Sequence, residues 1–232
     1  MNAPGASLLR RELRAVREPF RLLARTSKLQ AAPTGERGVM VLPGFSTNDT
    51  AMAPLRAYLR SRGHRVWGWG LGTNRGDVPK NLPAVIDQVE RRVVENDDNP
   101  LALVGWSLGG VFAREVARDR PELVDQLITL ATPIFGGPRY TEAARDFSEA
   151  ELQAIEARIS ERQSRPIQQP LTAYFTKADG ALDWRTTLDH LHPQVEMIEV
   201  DSSHLGITLD PVVWLGIAER LAATDHPPVL PD

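Results

Sequence analysis

A serine set among glycines, Gly105-Trp106-Ser107-Leu108-Gly109 with Gly110 behind it, has the types and spacing that nucleophilic chemistry needs. A hydroxyl reaches a carbonyl only if it stands clear of its own backbone, and a strained turn from strand into helix presents it so. The apolar run 101–105 reads as a buried strand and the residues from Leu108 onward as a helix, so the turn falls on Ser107. Flanking glycines leave room for it. The helix start also directs backbone N–H groups toward negative charge forming on a carbonyl oxygen. A second donor must come from another loop, and Val41-Leu42-Pro43-Gly44-Phe45, which closes the first apolar run, offers one. The backbone N–H groups of Phe45 and Leu108 are the expected oxyanion donors.

Two such loops cooperate only if their strands are neighbours. Apolar runs at 38–42, 65–69, 101–105, 127–131, 171–176 and 195–200 alternate with helical patterns, including 52–62, 82–95 and 108–118. This rhythm predicts an α/β fold of about six mainly parallel strands with helices on both faces. In a doubly wound order the first and third strands lie side by side, which brings the Phe45 loop to Ser107. Thirty-nine residues, 132–170, separate the fourth and fifth runs, more than a crossover needs. Ser148-Glu149-Ala150-Glu151 has the form of a capping box, and Leu152, Ile155 and Ile159 form an apolar stripe, so a small helical cap is expected there.

Ahead of the first strand, Leu9, Leu13, Val16, Phe20 and Leu23 repeat at helical spacing, interrupted by Pro19. Residues 8–30 carry seven Arg and Lys against Glu12 and Glu18. The domain scheme is therefore a basic amphipathic helical segment at 1–30, one α/β domain at 31–223, and a disordered tail at 224–232 containing Pro227, Pro228 and Pro231. The segment is expected to pack on the domain as a helix pair, with a membrane-surface or dimer-forming arm as the alternative.

Composition excludes several classes of function. A net charge of −3 over 232 residues offers no general field for nucleic acid. The absence of cysteine removes disulfides, thiolate catalysis and cysteine metal sites. No histidine–carboxylate spacing resembles a metal site, and no cofactor is implied. Gly68-Trp69-Gly70-Leu71-Gly72 lacks the third glycine of a dinucleotide fingerprint. The start of the chain has no apolar run long enough for a signal-peptide core, which reads as a cytoplasmic protein.

The elbow at Ser107 and the Pro43-Gly44-Phe45 loop resemble the α/β-hydrolase superfamily, in particular compact bacterial lipases and esterases with a small cap, over roughly residues 38–222. The antiparallel strands that open the full-size fold have no visible counterpart. The resemblance implies a triad in the chain order serine, acid, histidine. That places the general base at His204, in the loop after the last strand, and excludes His64. The acid is expected just beyond the fifth strand, where Asp179 and Asp183 compete and Asp179-Gly180 matches the family's turn. The resemblance also places the loop holding Asn74 beside the active site, where Asn74 either holds neighbouring backbone or lines the pocket, while Trp106 is expected as core and pocket wall.

The implied activity is a serine esterase, lipase-like, cleaving a small-molecule acyl ester through an acyl-serine. The same triad also serves thioesterases and acyltransferases. A hydrolase fold kept as a ligand receptor is the reading from another class, and it has no chemical need of a complete triad.

Overall fold

The computed structural model describes residues 10–192 and 194–223. Its strands are β1 (Gly38–Leu42), β2 (Arg65–Gly68), β3 (Leu101–Trp106), β4 (Val124–Leu130), β5 (Leu171–Phe175) and β6 (Glu196–Glu199). They form one sheet in the order β2-β1-β3-β4-β5-β6, with every pairing parallel. The helices are α1 (Glu18–Ala24), α2 (Thr26–Gln30), α3 (Ala53–Ser61), α4 (Val78–Glu95), α5 (Leu108–Asp119), α6 (Glu149–Gln163) and α7 (Pro211–Ala222).

Both faces of the sheet are covered, which is why the central strands are continuous apolar runs. Successive side chains alternate between faces. Val39 and Val41 of β1 join Ala102 and Val104 of β3 in a core with α3 and α7. Met40, Leu42, Leu101 and Leu103 point the other way, into a core with α4 and α5. β1 and β3 pair from Val39↔Ala102 to Leu42↔Gly105, so the loops after both strands emerge together.

Between β4 and β5 the insertion folds as two 3-10 turns, Gly137–Tyr140 and Glu142–Asp146, followed by α6. The capping box is closed: Ser148 Oγ accepts from Glu151 N at 3.3 Å, and Glu151 Oε2 accepts from Ser148 N at 2.7 Å. Ile155 and Ile159 lie over Gly137, where a side chain would meet them. Arg162 anchors the far end of α6 to Glu115 and Asp119 of α5.

The N-terminal segment is helical, as a 3-10 helix Arg10–Arg17 followed by α1 and α2, with Pro19 in the first turn of α1 where its missing N–H costs nothing. It packs on the domain by the face opposite to the expected one. Glu18 is fully buried, and Arg21 Nη1 lies 2.6 Å from Glu18 Oε2 and 2.7 Å from Asp210 Oδ2, bridging two buried carboxylates. Arg17 donates to the Asp201 carbonyl at 2.6 Å. The stripe Leu13, Val16, Phe20 and Leu23, expected against the core, is exposed. Paired charge outcompetes apolar burial here because unpaired Glu18 or Asp210 would be costly in the interior. The expected tail at 224–232 and the stripe residue Leu9 lie outside the described residues.

Candidate active site

Ser107 follows the last residue of β3 and precedes α5, with φ 52° and ψ −121°, a conformation that non-glycine residues rarely adopt. Its N–H donates to the Leu130 carbonyl at 2.8 Å, holding the elbow to β4. The glycines act by close approach. A Cβ at Gly105 would overlap the backbone of Gly110, and one at Gly109 would overlap the Leu42 carbonyl. Strand, elbow and helix can therefore stack only with hydrogen at both positions.

His204 sits in the loop after β6 and is buried, with Nε2 3.0 Å from Ser107 Oγ. Its Nδ1 lies 2.7 Å from Asp179 Oδ2. A carboxylate accepts, so the ring proton resides on Nδ1, and Nε2 is left to accept from the serine hydroxyl. Asp179 is itself fixed, since its Oδ1 accepts from the N–H groups of Ala181 and Leu182, both at 2.9 Å. Asp183 does other work: it caps the short 3-10 turn Trp184–Thr187, accepting from Arg185 N at 3.0 Å. Of the two competing aspartates, Asp179 thus lies on the histidine and Asp183 away from it.

Burial pulls the His204 pKa down, but the charge of Asp179 and its hydrogen bond, with the charge of Glu12 behind them, outweigh that and leave it raised above the ordinary histidine value. Of the other described histidines, His64 and His192 are buried elsewhere. Burial, with Arg37 nearby, holds the His64 pKa low, far from Ser107 in the chain. His192 is enclosed in a separate buried network, its Nδ1 donating to Asp189 Oδ2 at 2.7 Å while Nε2 accepts from Ile167 N at 3.2 Å.

Gly44 packs on the Trp106 ring, and the side chains of Phe45 and Leu108 both border the same spot at Gly76. The two loops named as oxyanion donors therefore converge. Asn74 holds the first of them rather than lining a pocket. It is fully buried, its Nδ2 donates to the Pro43 carbonyl at 2.9 Å, and its carbonyl accepts from Ser46 N at 2.7 Å. Trp106 is likewise committed: it is buried, its ring lies 5.8 Å from that of His204, and its Nε1–H donates to the His204 carbonyl at 3.0 Å. Asn74 thus fulfils the backbone-holding alternative, and Trp106 the core part of its expectation.

One residue at the site escaped sequence reasoning. Glu12 reaches from the N-terminal segment to the loops that hold the acid and the histidine. Its Oε1 accepts from Gly180 N at 2.8 Å and His204 N at 3.2 Å, and its Oε2 accepts from Leu205 N at 2.8 Å. A single carboxylate thus ties together the backbones that carry Asp179 and His204. The only signal was compositional: two glutamates isolated among seven basic residues.

Comparison with known proteins gives the family of this fold. The family model "Alpha/beta hydrolase family" matches residues 39–231. A pimeloyl-[acyl-carrier protein] methyl ester esterase of Pseudoalteromonas atlantica is 27% identical over 210 residues, covering 87% of this chain and 76% of that protein. The corresponding Photorhabdus laumondii protein is 32% identical over 105 residues, covering 44% of this chain and only 39% of its own length. The solved structure of a Paleococcus ferrophilus monoacylglycerol lipase superposes with a TM-score of 0.60 at 16% identity, covering 82% of this chain and 96% of that one. A sheet ordered β2-β1-β3-β4-β5-β6, a serine elbow after its third strand and a family model spanning most of the sequence lead to one assignment: the chain belongs to the α/β-hydrolase family.

Proposed function

We propose that the protein is a serine hydrolase of carboxylic esters. The observation that carries the reading is the relay from Asp179 Oδ2 through His204, 2.7 Å on one side and 3.0 Å on the other, to a serine held at positive φ at the start of a helix. In this mechanism His204 Nε2 takes the hydroxyl proton as Ser107 Oγ attacks the ester carbonyl. The tetrahedral oxyanion faces the N–H groups of Phe45 and Leu108, and α5 adds the favourable end of its dipole. The imidazolium, stabilised by Asp179, then protonates the departing alcohol. Water, deprotonated by the same nitrogen, attacks the acyl-serine; as the bond from the acyl carbon to Ser107 Oγ breaks, His204 returns the proton to Oγ and the acid is released. The relatives named as esterase and lipase support an ester over an amide as substrate.

The test is covalent. A fluorophosphonate probe should label the wild-type chain at Ser107, and Ser107→Ala should lose both labelling and hydrolysis of p-nitrophenyl esters. Labelling that persists in Ser107→Ala refutes the assignment of the nucleophile. Labelling of the wild type without turnover of any ester in a panel graded by acyl length refutes the esterase reading.

A further inference from the structure

The apolar stripe near the N-terminus has no described partner. Leu13 is 71%, Val16 68%, Phe20 72% and Leu23 75% exposed. They are spaced three, four and three residues apart, so they line one side of the 3-10 helix and α1. Large apolar groups gathered in this way mark an interaction surface. Rolling the segment inward would break the bonds of Glu12, Arg17, Glu18 and Arg21 to the domain, so the stripe is held outward.

What surrounds the stripe identifies the partner. Arg10, Arg11, Arg14, Arg25 and Lys28 are exposed. The two acids of the segment are turned inward, Glu18 onto Ser202 and Arg21, and Glu12 onto the histidine loop. Arg14 pairs with the exposed Asp201 of the domain at 3.5 Å, and the remaining exposed cations leave residues 10–30 with apolar side chains, net positive charge and no exposed acid of their own. A second copy meeting this face would set like charges against each other, whereas a lipid surface bearing phosphates satisfies both features.

We infer that this face docks on an anionic lipid surface, with Leu13, Val16, Phe20 and Leu23 entering the boundary between headgroups and acyl chains and the exposed basic side chains meeting phosphates. The inference goes beyond the hydrolase reading and does not depend on it.

The experiment is co-sedimentation of the full chain with vesicles of phosphatidylcholine alone or mixed with phosphatidylglycerol. Binding is expected to the mixed vesicles only and to weaken with added salt. Phe20→Ser with Leu23→Ser should lower the affinity about a hundredfold, since each loses the transfer of a large side chain. That double variant should keep the wild-type Tm because both positions are exposed. Arg25→Glu with Lys28→Glu should weaken binding in parallel, and Ser107→Ala should bind as wild type. Equal binding to neutral vesicles, or none to anionic ones, overturns the proposal. So does a wild-type dimer in sedimentation velocity that the Phe20/Leu23 variant abolishes, which would assign the stripe to a second copy. Loss of docking with normal ester hydrolysis leaves the hydrolase reading standing, and the reverse result leaves the docking standing.

Discussion

Replacing Glu12 by glutamine should damage catalysis although residue 12 belongs to no part of the triad. Glutamine keeps the length but removes the charge and turns one acceptor into a donor, so it cannot serve N–H groups on both sides as Oε1 and Oε2 now serve Gly180, His204 and Leu205. Bonds to a charged acceptor contribute about 1.5–3 kcal/mol each, less where the carboxylate is partly solvated. Losing one of the three and opposing a loop N–H with an amide donor should therefore cost about 1–2 kcal/mol. If this appears as misplacement of His204 against Ser107, the rate falls by about 5- to 30-fold. The assay is kcat and KM for a soluble p-nitrophenyl ester across pH, with Tm measured alongside. The loss should lie in kcat. The acid limb should also move to lower pH: His204 works as a neutral base, its raised pKa rests partly on the charge of Glu12, and removing that charge lets it stay neutral in more acid solution. Unchanged kcat, or a fall in kcat that tracks Tm with the acid limb unmoved, would refute positioning by Glu12.

Asp179→Asn should fold with near-native Tm yet lose on the order of four decades in kcat, because its amide can hold the wrong imidazole tautomer. Asp183→Asn should retain most activity and cost less than about 1 kcal/mol in urea denaturation, because the asparagine carbonyl caps nearly as well as the carboxylate. Asn74→Ala should keep fluorophosphonate labelling but lower kcat by about tenfold or more, as the Pro43 carbonyl loses its partner and the Phe45 loop shifts. Asp189→Asn should destabilise by about 3–5 kcal/mol in the same denaturation assay, since it strands Arg114, whose Nη1 lies 2.8 Å from Asp189 Oδ2. Burial opposes ionisation of Asp189, but the bond from His192 and the charge of Arg114 hold its pKa well below the carboxylate range. Its contribution to stability is therefore complete above about pH 4 and is lost only as pH falls toward the depressed folded pKa.

The sheet was legible because each buried strand is a short apolar run set off by turn residues, and all six expected strands formed. Their edges moved: β4 begins at Val124 rather than 127, and α4 begins at Val78, capped by Asp77, rather than at 82. Ser107 could be read from local context alone. His204 and Asp179 could be reached only through chain order, and Asp179 was separated from Asp183 by which carboxylate the fold turns toward the imidazole, a matter of loop path rather than residue type. Asn74 and Trp106 were drawn toward the site, but of the two duties open to Asn74 only the fold could show that it holds the Pro43 carbonyl, because composition does not say which polar atoms are already bonded. The N-terminal segment misled most. Periodicity assumes that the apolar side faces inward, and it has no access to a pairing such as Arg21 with Asp210, 189 residues away.

That distance has a consequence for how the molecule opens. The bonds of Glu12 to Gly180, His204 and Leu205 join residues 168, 192 and 193 positions apart, yet they hold a short surface segment that makes no strand of the sheet. Such a segment can detach as a cooperative unit of its own while the rest stays folded. In deuterated water the amide protons of Gly180, His204 and Leu205 should then exchange at a common rate set by detachment, well ahead of those of β3, whose release requires global unfolding. Deuterium uptake by the loops that carry Asp179 and His204 would thus measure how often the segment lets go.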